Sequence, residues 1–110
     1  MIPTGARQVP FAGKFASSKF TLQFDGLQYS LKFDWSQKNQ CWYMSLFTTD
    51  NESLFLNKKC VTNNRIAYAA RGDNMPPGYF WAGEVKETNV MPGRDDFGFD
   101  KRVGVYYVSA

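Results

Sequence analysis

Apolar and polar residues alternate with a two-residue period from residue 20 to residue 35, and this pattern limits the fold more than any other feature of the chain. The apolar positions are Phe20, Leu22, Phe24, Tyr29, Leu31, Phe33 and Trp35. Successive side chains of a β-strand point to opposite faces, so the pattern predicts two strands that each have one apolar and one solvated face. Asp25-Gly26 lies between them. This dipeptide readily adopts the positive φ angles of a two-residue turn, and we predict an antiparallel hairpin over about residues 19–24 and 27–35.

A third strand is predicted from about Gln40 to Phe47, after a polar turn. Both of its faces are apolar. Trp42, Met44 and Leu46 share one face, and Tyr43 and Phe47 share the other. Because a strand with two apolar faces is normally covered on both, we expect this strand to be central or to be covered by another subunit.

Shorter apolar runs between turn residues indicate further strands. They cover about residues 53–56, 65–70, 79–85 and 102–108. The run at 65–70 is too short for periodicity to separate a strand from one helical turn, and its neighbouring strands favour a strand. Residues 57–64 are polar and are not assigned to a strand.

The first eighteen residues have a composition that favours an extended segment. They contain Pro3, Gly5, Pro10, Gly13 and Ser17-Ser18. We predict an extended N-terminal arm over residues 1–18, of the kind that packs on a neighbour, followed by a single all-β domain at 19–110. About six to seven short strands separated by regular turns predict a small antiparallel β-sandwich or barrel, and the pattern leaves both open.

Length and charge exclude several classes of protein. A chain of 110 residues with 17% aromatic residues is long enough for one core but not for two. The net charge of +3 is mild and the basic residues are scattered, so nucleic acid is not an expected partner. Neither a signal peptide nor a membrane span is expected, because no apolar run has the required length. Cys41 and Cys60 are predicted to be buried thiols, since no secretory context favours a disulfide.

No set of residues has the chemistry of a catalytic or metal site. The chain contains no histidine, so Cys41 lacks the usual base of a cysteine nucleophile. Asp95-Asp96 with Asp100 comes nearest to a cation site, but residues 97–99 offer Phe-Gly-Phe where a calcium loop needs oxygen ligands. We therefore predict no catalysis, no cofactor and no metal. The two adjacent aspartates are expected in a solvated loop or an interface salt bridge.

Several local patterns, in a fixed order along the chain, resemble one known family. They are Phe24-Asp25-Gly26-Leu27-Gln28-Tyr29, Trp35 at a strand end, Trp42-Tyr43 followed by a polar turn, Pro76-Pro77-Gly78-Tyr79, Pro92-Gly93 with Asp95-Asp96-Phe97-Gly98, and Arg102-Val103-Gly104-Val105-Tyr106-Tyr107-Val108. From about Phe20 to the C-terminus, their order and spacing resemble the small baseplate plug proteins of contractile-tailed phages and prophages. The arm with Phe11 and Phe15, and the polar segment at 57–64, depart from the family pattern.

The resemblance implies a structural virion protein without catalytic activity. Such a protein is made in the host cytoplasm and built into the tail baseplate, where it contacts the hub, the central spike or the tail tube. Tail symmetry implies a threefold or sixfold homo-oligomer. Aromatic anchors with charged residues at the rim are typical of such interfaces. The interface candidates are Phe11, Phe15, Tyr43, Arg94, Asp95, Asp96 and Tyr106.

Two other functions are compatible with an aromatic-rich β-domain. A carbohydrate- or cell-surface-binding module would use exposed aromatic rings, although Trp35, Trp42 and Trp81 each lie within an apolar alternation that favours core packing or subunit contact. A small barrel that binds single-stranded nucleic acid would need clustered Lys and Arg among its strands, which the sequence lacks.

Overall fold

The computed structural model describes residues 2–67 and 74–109, and these residues form eight strands and no helix. The prediction of an all-β fold is confirmed, with slightly more strands than predicted. In chain order the strands are β1 (Arg7–Gln8), β2 (Ser17–Phe24), β3 (Leu27–Ser36), β4 (Cys41–Thr48), β5 (Ser53–Lys59), β6 (Asn64–Ile66), β7 (Tyr79–Glu84) and β8 (Val103–Val108). Within these ranges no helix has the length and apolar character needed to cross a membrane.

The strands form two four-stranded antiparallel sheets. The first sheet has the order β1-β8-β7-β6, and the second has the order β2-β3-β4-β5. Buried side chains from both sheets belong to one core, among them Phe33 and Leu46 from the second sheet and Phe80 and Val105 from the first. The fold is therefore a β-sandwich, one of the two architectures that the sequence left open.

The hairpin predicted at Asp25-Gly26 is confirmed. β2 and β3 pair without a shift from Phe24 opposite Leu27 to Ser17 opposite Asp34. Asp25 has a φ of 49° and Gly26 a φ of 87°, which are the paired positive angles of a type I′ turn. The twist of this turn matches that of the flanking strands, so the dipeptide determines the register of the hairpin.

β4 is an inner strand of its sheet, between β3 and β5. Trp42, Met44 and Leu46 are fully buried in the core. Tyr43 and Phe47 are half-buried on the outer face of the same sheet. Of the two expected positions for this strand, the structure has the central one.

Two strand boundaries differ from the prediction. β5 continues to Lys59 instead of ending near residue 56, because Lys58 and Lys59 pair with β4 through their backbones while their side chains stay exposed. An edge strand can form backbone hydrogen bonds without an apolar face, so the polar residues at the end of β5 gave no sign that they belong to a strand. β6 confirms the beginning of the strand predicted at 65–70, and residues 68–73 lie outside the described part.

The N-terminal segment packs on the chain's own core. Arg7 and Gln8 form β1 against β8, and β2 already begins at Ser17, within the segment predicted as an arm. Val9 and Phe11 are 1% and 2% exposed, respectively. The segment that joins β1 to β2 thus crosses from one sheet to the other and closes one end of the core.

Alanine substitutions at Gly13 and Gly26 test whether the N-terminal segment packs as described. A Cβ at Gly13 would lie 2.0 Å from the carbonyl oxygen of Phe97, whereas a Cβ at Gly26 would meet no atom within 4 Å. Both have positive φ angles, so alanine brings about 1–2 kcal/mol of backbone strain at either site. We expect Gly26→Ala to lower the free energy of unfolding by about that amount, and Gly13→Ala by at least about 3 kcal/mol because it adds overpacking. Urea titration measures both, and equal losses would show that the segment does not pack against Phe97.

Candidate functional site

Glu84, the last residue of β7, is a fully buried carboxylate surrounded by hydrogen-bond donors. Its Oε1 accepts from the backbone N–H of Asn89 at 2.5 Å and from Asn63 Nδ2 at 3.2 Å. Its Oε2 accepts from Thr88 Oγ1 at 2.9 Å and from Arg102 Nη1 at 2.8 Å. Burial by itself raises the pKa of Glu84, but the donors from Asn89, Thr88 and Arg102 outweigh burial and lower the pKa to about 2.

Arg102 extends this network across the long loop between β7 and β8. Its Nε donates to Asp96 Oδ2 at 2.8 Å, and its Nη2 donates to the carbonyl oxygen of Met91 at 3.0 Å. Asp96 in turn accepts from the backbone N–H of Gly93 at 2.5 Å through Oδ1. The Arg102 guanidinium therefore links Glu84, at the start of the loop, to Met91 and Asp96 within it. These hydrogen bonds stabilise the conformation of the loop.

The outer face of the first sheet carries a row of half-buried aromatic side chains. Trp81 of β7 lies directly opposite Tyr106 of β8, and Tyr79 lies opposite Val108. The ring centroids of Tyr79 and Trp81 are 6.5 Å apart, and the guanidinium of Arg65 lies 4.2 Å from the centre of the Tyr79 ring. We call Tyr79, Trp81, Tyr106 and Val108 the aromatic face. Burial, with a smaller contribution from the Asp100 carboxylate, raises the pKa of Tyr106, so this phenol is neutral at physiological pH.

The outer face of the second sheet is more polar. Tyr43 accepts a hydrogen bond from Asn39 Nδ2 at 3.0 Å, and the ammonium of Lys19 lies 4.5 Å from the centre of the Phe47 ring. Because the two sheets pack through their inner faces, Tyr43 and Tyr106 lie on opposite sides of the sandwich. The structure does not bring these two predicted interface residues together.

Comparison with known proteins identifies the family. The model of the family described as cyanophage baseplate Pam3 plug gp18 matches residues 6–110. The chain belongs to this baseplate plug family. No curated protein matches the chain. The match covers nearly the whole chain, and it confirms the resemblance drawn from the sequence patterns. This baseplate plug protein is thus a structural component of a phage baseplate.

The remaining predicted contact residues lie near one end of the sandwich of the baseplate protein. Phe15 is 64% exposed, whereas Phe11 is a core side chain that leaves almost no surface for a partner. Arg94 donates to the carbonyl oxygens of Gly13 and Lys14 at 2.9 and 3.1 Å. The Arg94 side chain therefore binds the N-terminal segment of the same chain.

The adjacent aspartates of the same loop differ in their surroundings. Asp95 is exposed, and Asp96 forms the ion pair with Arg102. Within the described ranges of the chain, no group of three or more Asp, Glu, Cys or His side chains has the arrangement of a metal site. Cys41 and Cys60 are free and buried, as predicted, and burial raises the pKa of Cys60 so that its thiol stays protonated.

Two features were not predicted from the sequence. Tyr106 of the aromatic face was an interface candidate, whereas Tyr79 and Trp81 were assigned only to a strand. Their alternation with the buried Phe80 and Ala82 carries the same two-faced signal that was used for β4. The Glu84 network was missed because a single glutamate after an apolar strand gives no sign of its donors, two of which lie beyond it in the loop.

The depressed pKa of Glu84 predicts acid sensitivity. A carboxyl whose folded pKa is lowered stabilises the fold above its unfolded value, 4.5, and loses that contribution as the pH falls towards 2. Unfolding in urea at about pH 6, 4 and 3 should therefore show a steep loss of stability for the wild type. Glu84→Gln should be less stable at pH 6 and should lose less stability on acidification. Glu52→Gln, at an exposed turn, is the control for removing one carboxylate. Equal acid slopes for wild type and Glu84→Gln would contradict the network.

Proposed function

We propose that this protein is a non-catalytic plug in the baseplate of a contractile phage tail, held there by contacts with the hub or the central spike. The observation that carries the proposal is the family match over residues 6–110, which assigns the chain to the baseplate. The protein would be made in the host cytoplasm and would function in the virion. The threefold or sixfold symmetry of tails makes a ring of copies the expected arrangement.

The aromatic face supports docking on a protein partner. Tyr and Trp are enriched at the centres of protein interfaces, because they bury large areas at a low cost in conformational entropy. Trp81 and Tyr106 lie opposite each other on the two inner strands of the first sheet. Such a pair fits the description of a hot spot.

The opposite face offers a second, weaker contact. Tyr43 and Phe47 would be the apolar part of that contact, and Lys19 would lie beside them. A plug that fits between neighbours is contacted from more than one side, so we retain Tyr43 together with the exposed Phe15 and Asp95 as rim candidates.

The absence of catalysis is supported by the state of the ionisable groups. The Glu84 carboxylate accepts hydrogen bonds from Asn63, Thr88, Asn89 and Arg102, and the Cys60 thiol is protonated and buried. The chain has no histidine. Neither group is placed to serve as a base or a nucleophile.

Alanine substitutions on the two outer faces test the proposal. Tyr106→Ala should reduce incorporation into tails by at least about tenfold, because it removes a central aromatic anchor, while the melting temperature falls by no more than about 5 °C. Tyr43→Ala is the matched variant on the opposite face and should have a smaller effect. Incorporation is measured by complementing a phage that lacks the gene and quantifying the protein in purified virions. Wild-type incorporation of Tyr106→Ala would remove the aromatic face from the interface.

The aromatic face also favours one rival function, a carbohydrate-binding module, because Tyr and Trp rings on the surface of a sheet can stack on sugar rings. A glycan array probed with the purified protein distinguishes the two. Binding that is lost in Trp81→Ala, together with absence of the protein from virions, would favour the rival.

A further inference from the structure

Among the described strands, β2 is the only long and regular edge of the sandwich. The four edge strands are β1, β6, β2 and β5. β1 has two residues, β6 has three, and the register of β5 shifts against its neighbour. β2 instead pairs over eight residues without a shift. Short or irregular edges resist the addition of another strand, so β2 is the edge at which an extended chain can add.

The register with β3 determines which backbone groups of β2 are directed inward. Residues of an antiparallel pair alternate between hydrogen-bonded and non-hydrogen-bonded positions. The two-residue turn makes Phe24 and Leu27 a hydrogen-bonded pair. At the other end, the backbone N–H of Trp35 donates to the carbonyl oxygen of Ala16 at 2.7 Å. Even-numbered residues of β2 therefore bond to β3.

The odd-numbered residues of β2 direct their backbone groups away from the sheet. Arg7 demonstrates this direction, because its Nη2 donates to the carbonyl oxygen of Gln23 at 2.5 Å. That contact covers one end of the edge. Towards the other end, the backbone N–H and C=O groups of Ser17, Lys19 and Thr21 have the alternating spacing that a further antiparallel or parallel strand requires.

A groove runs beside this open stretch. It has a volume of about 350 Å³ and lies between the N-terminal segment and β2, with Phe11, Phe15 and Phe20 in its walls. Ser18 also lines the groove, and its Oγ is buried without a hydrogen-bond partner. The groove thus offers aromatic walls to the apolar side chains of an added strand.

The charges at the groove indicate what kind of chain would bind. Lys14 and Lys19 line it, and no acidic residue of the described ranges does. The Lys19 ammonium lies over the Phe47 ring and donates to Asn51 Oδ1 at 3.1 Å. β2 itself has the sequence Ser-Ser-Lys-Phe-Thr-Leu-Gln-Phe, so a second copy of this strand would bring a lysine and no carboxylate to the edge. An incoming strand with an acidic residue opposite Lys19 is instead favoured by charge.

We propose that β2 binds an extended segment of another baseplate protein, which adds a strand beside Ser17–Thr21 and carries acidic and apolar residues in alternation. The inference rests on the proposed function, since it assumes that the chain is incorporated into the baseplate. Main-chain hydrogen bonds supply the affinity, and the groove with its lysines supplies the specificity.

Amide hydrogen exchange, resolved to single residues, tests this inference on the isolated protein and on purified tails. In the isolated protein the outward amides of Lys19 and Thr21 should exchange at least about 100-fold faster than the inward amides of Phe20 and Leu22. In tails the outward amides should become protected by at least about tenfold. If they exchange equally fast in both samples, strand addition is excluded while the plug function stands. If the protein is absent from tails, the plug function fails and strand addition fails with it.

A pair of substitutions separates strand addition from simple coverage of the edge. Thr21→Pro removes the outward N–H and leaves the bonds to β3, whereas Thr21→Val removes the same hydroxyl and keeps the N–H. Thr21→Pro should lower incorporation into tails by about tenfold relative to Thr21→Val, the value of one hydrogen bond at its upper range. Equal incorporation of the two variants would overturn the inference.

Charge reversal gives a second test that does not depend on proline. Lys19→Glu should lower incorporation, and Lys58→Glu on the opposite edge strand should not. Equal losses for the two variants would assign the effect to net charge and would contradict recognition at the groove.

Discussion

The fold depends on a cluster of four aromatic rings that closes one end of the sandwich. Phe11 stacks on Phe33 with 4.2 Å between ring centroids, and Trp42 and Phe97 meet Phe11 edge-on at 5.5 Å. These rings come from the N-terminal segment, from β3, from β4 and from the loop before β8. Aromatic pairs at these distances are favourable beyond the apolar area that they bury. The cluster therefore joins the two sheets and fixes the segment that forms one wall of the groove beside β2.

The aromatic residues of the chain divide into those that fill the core and those that lie on its outer faces. Phe24, Phe80 and Tyr107 fill the other end of the sandwich, and the Tyr107 hydroxyl donates to Asp25 Oδ2 at 2.6 Å. Trp81 and Tyr106 lie on the strands that carry these core residues, but they point the other way. A sandwich that presents half-buried Tyr and Trp rings on an outer face is well suited to pack against neighbours in a symmetric assembly.

The sequence was sufficient for those elements whose signal is local. The hairpin at Asp25-Gly26 followed from the turn dipeptide and the period of two. The two apolar faces of β4 predicted either a central place or coverage by another subunit, and the structure has the central place. β5 was predicted too short because backbone pairing at an edge leaves no mark on side-chain polarity. The opposite placement of Tyr43 and Tyr106, and the burial of Phe11, depend on which strands share a sheet. Strand order arises from contacts between distant parts of the chain, such as Phe11 on Phe33, and no local pattern encodes it. The same holds for the donors around Glu84.

Cryo-electron microscopy of the intact tail, reconstructed with its rotational symmetry, would show whether this sandwich lies in the tail tip with its aromatic face against a neighbouring protein. We expect density for the two-sheet sandwich in the baseplate, with Trp81 and Tyr106 buried against the hub, the spike or an adjacent copy. A tail tip without this sandwich, or one in which that face is open to solvent, would refute the proposed docking.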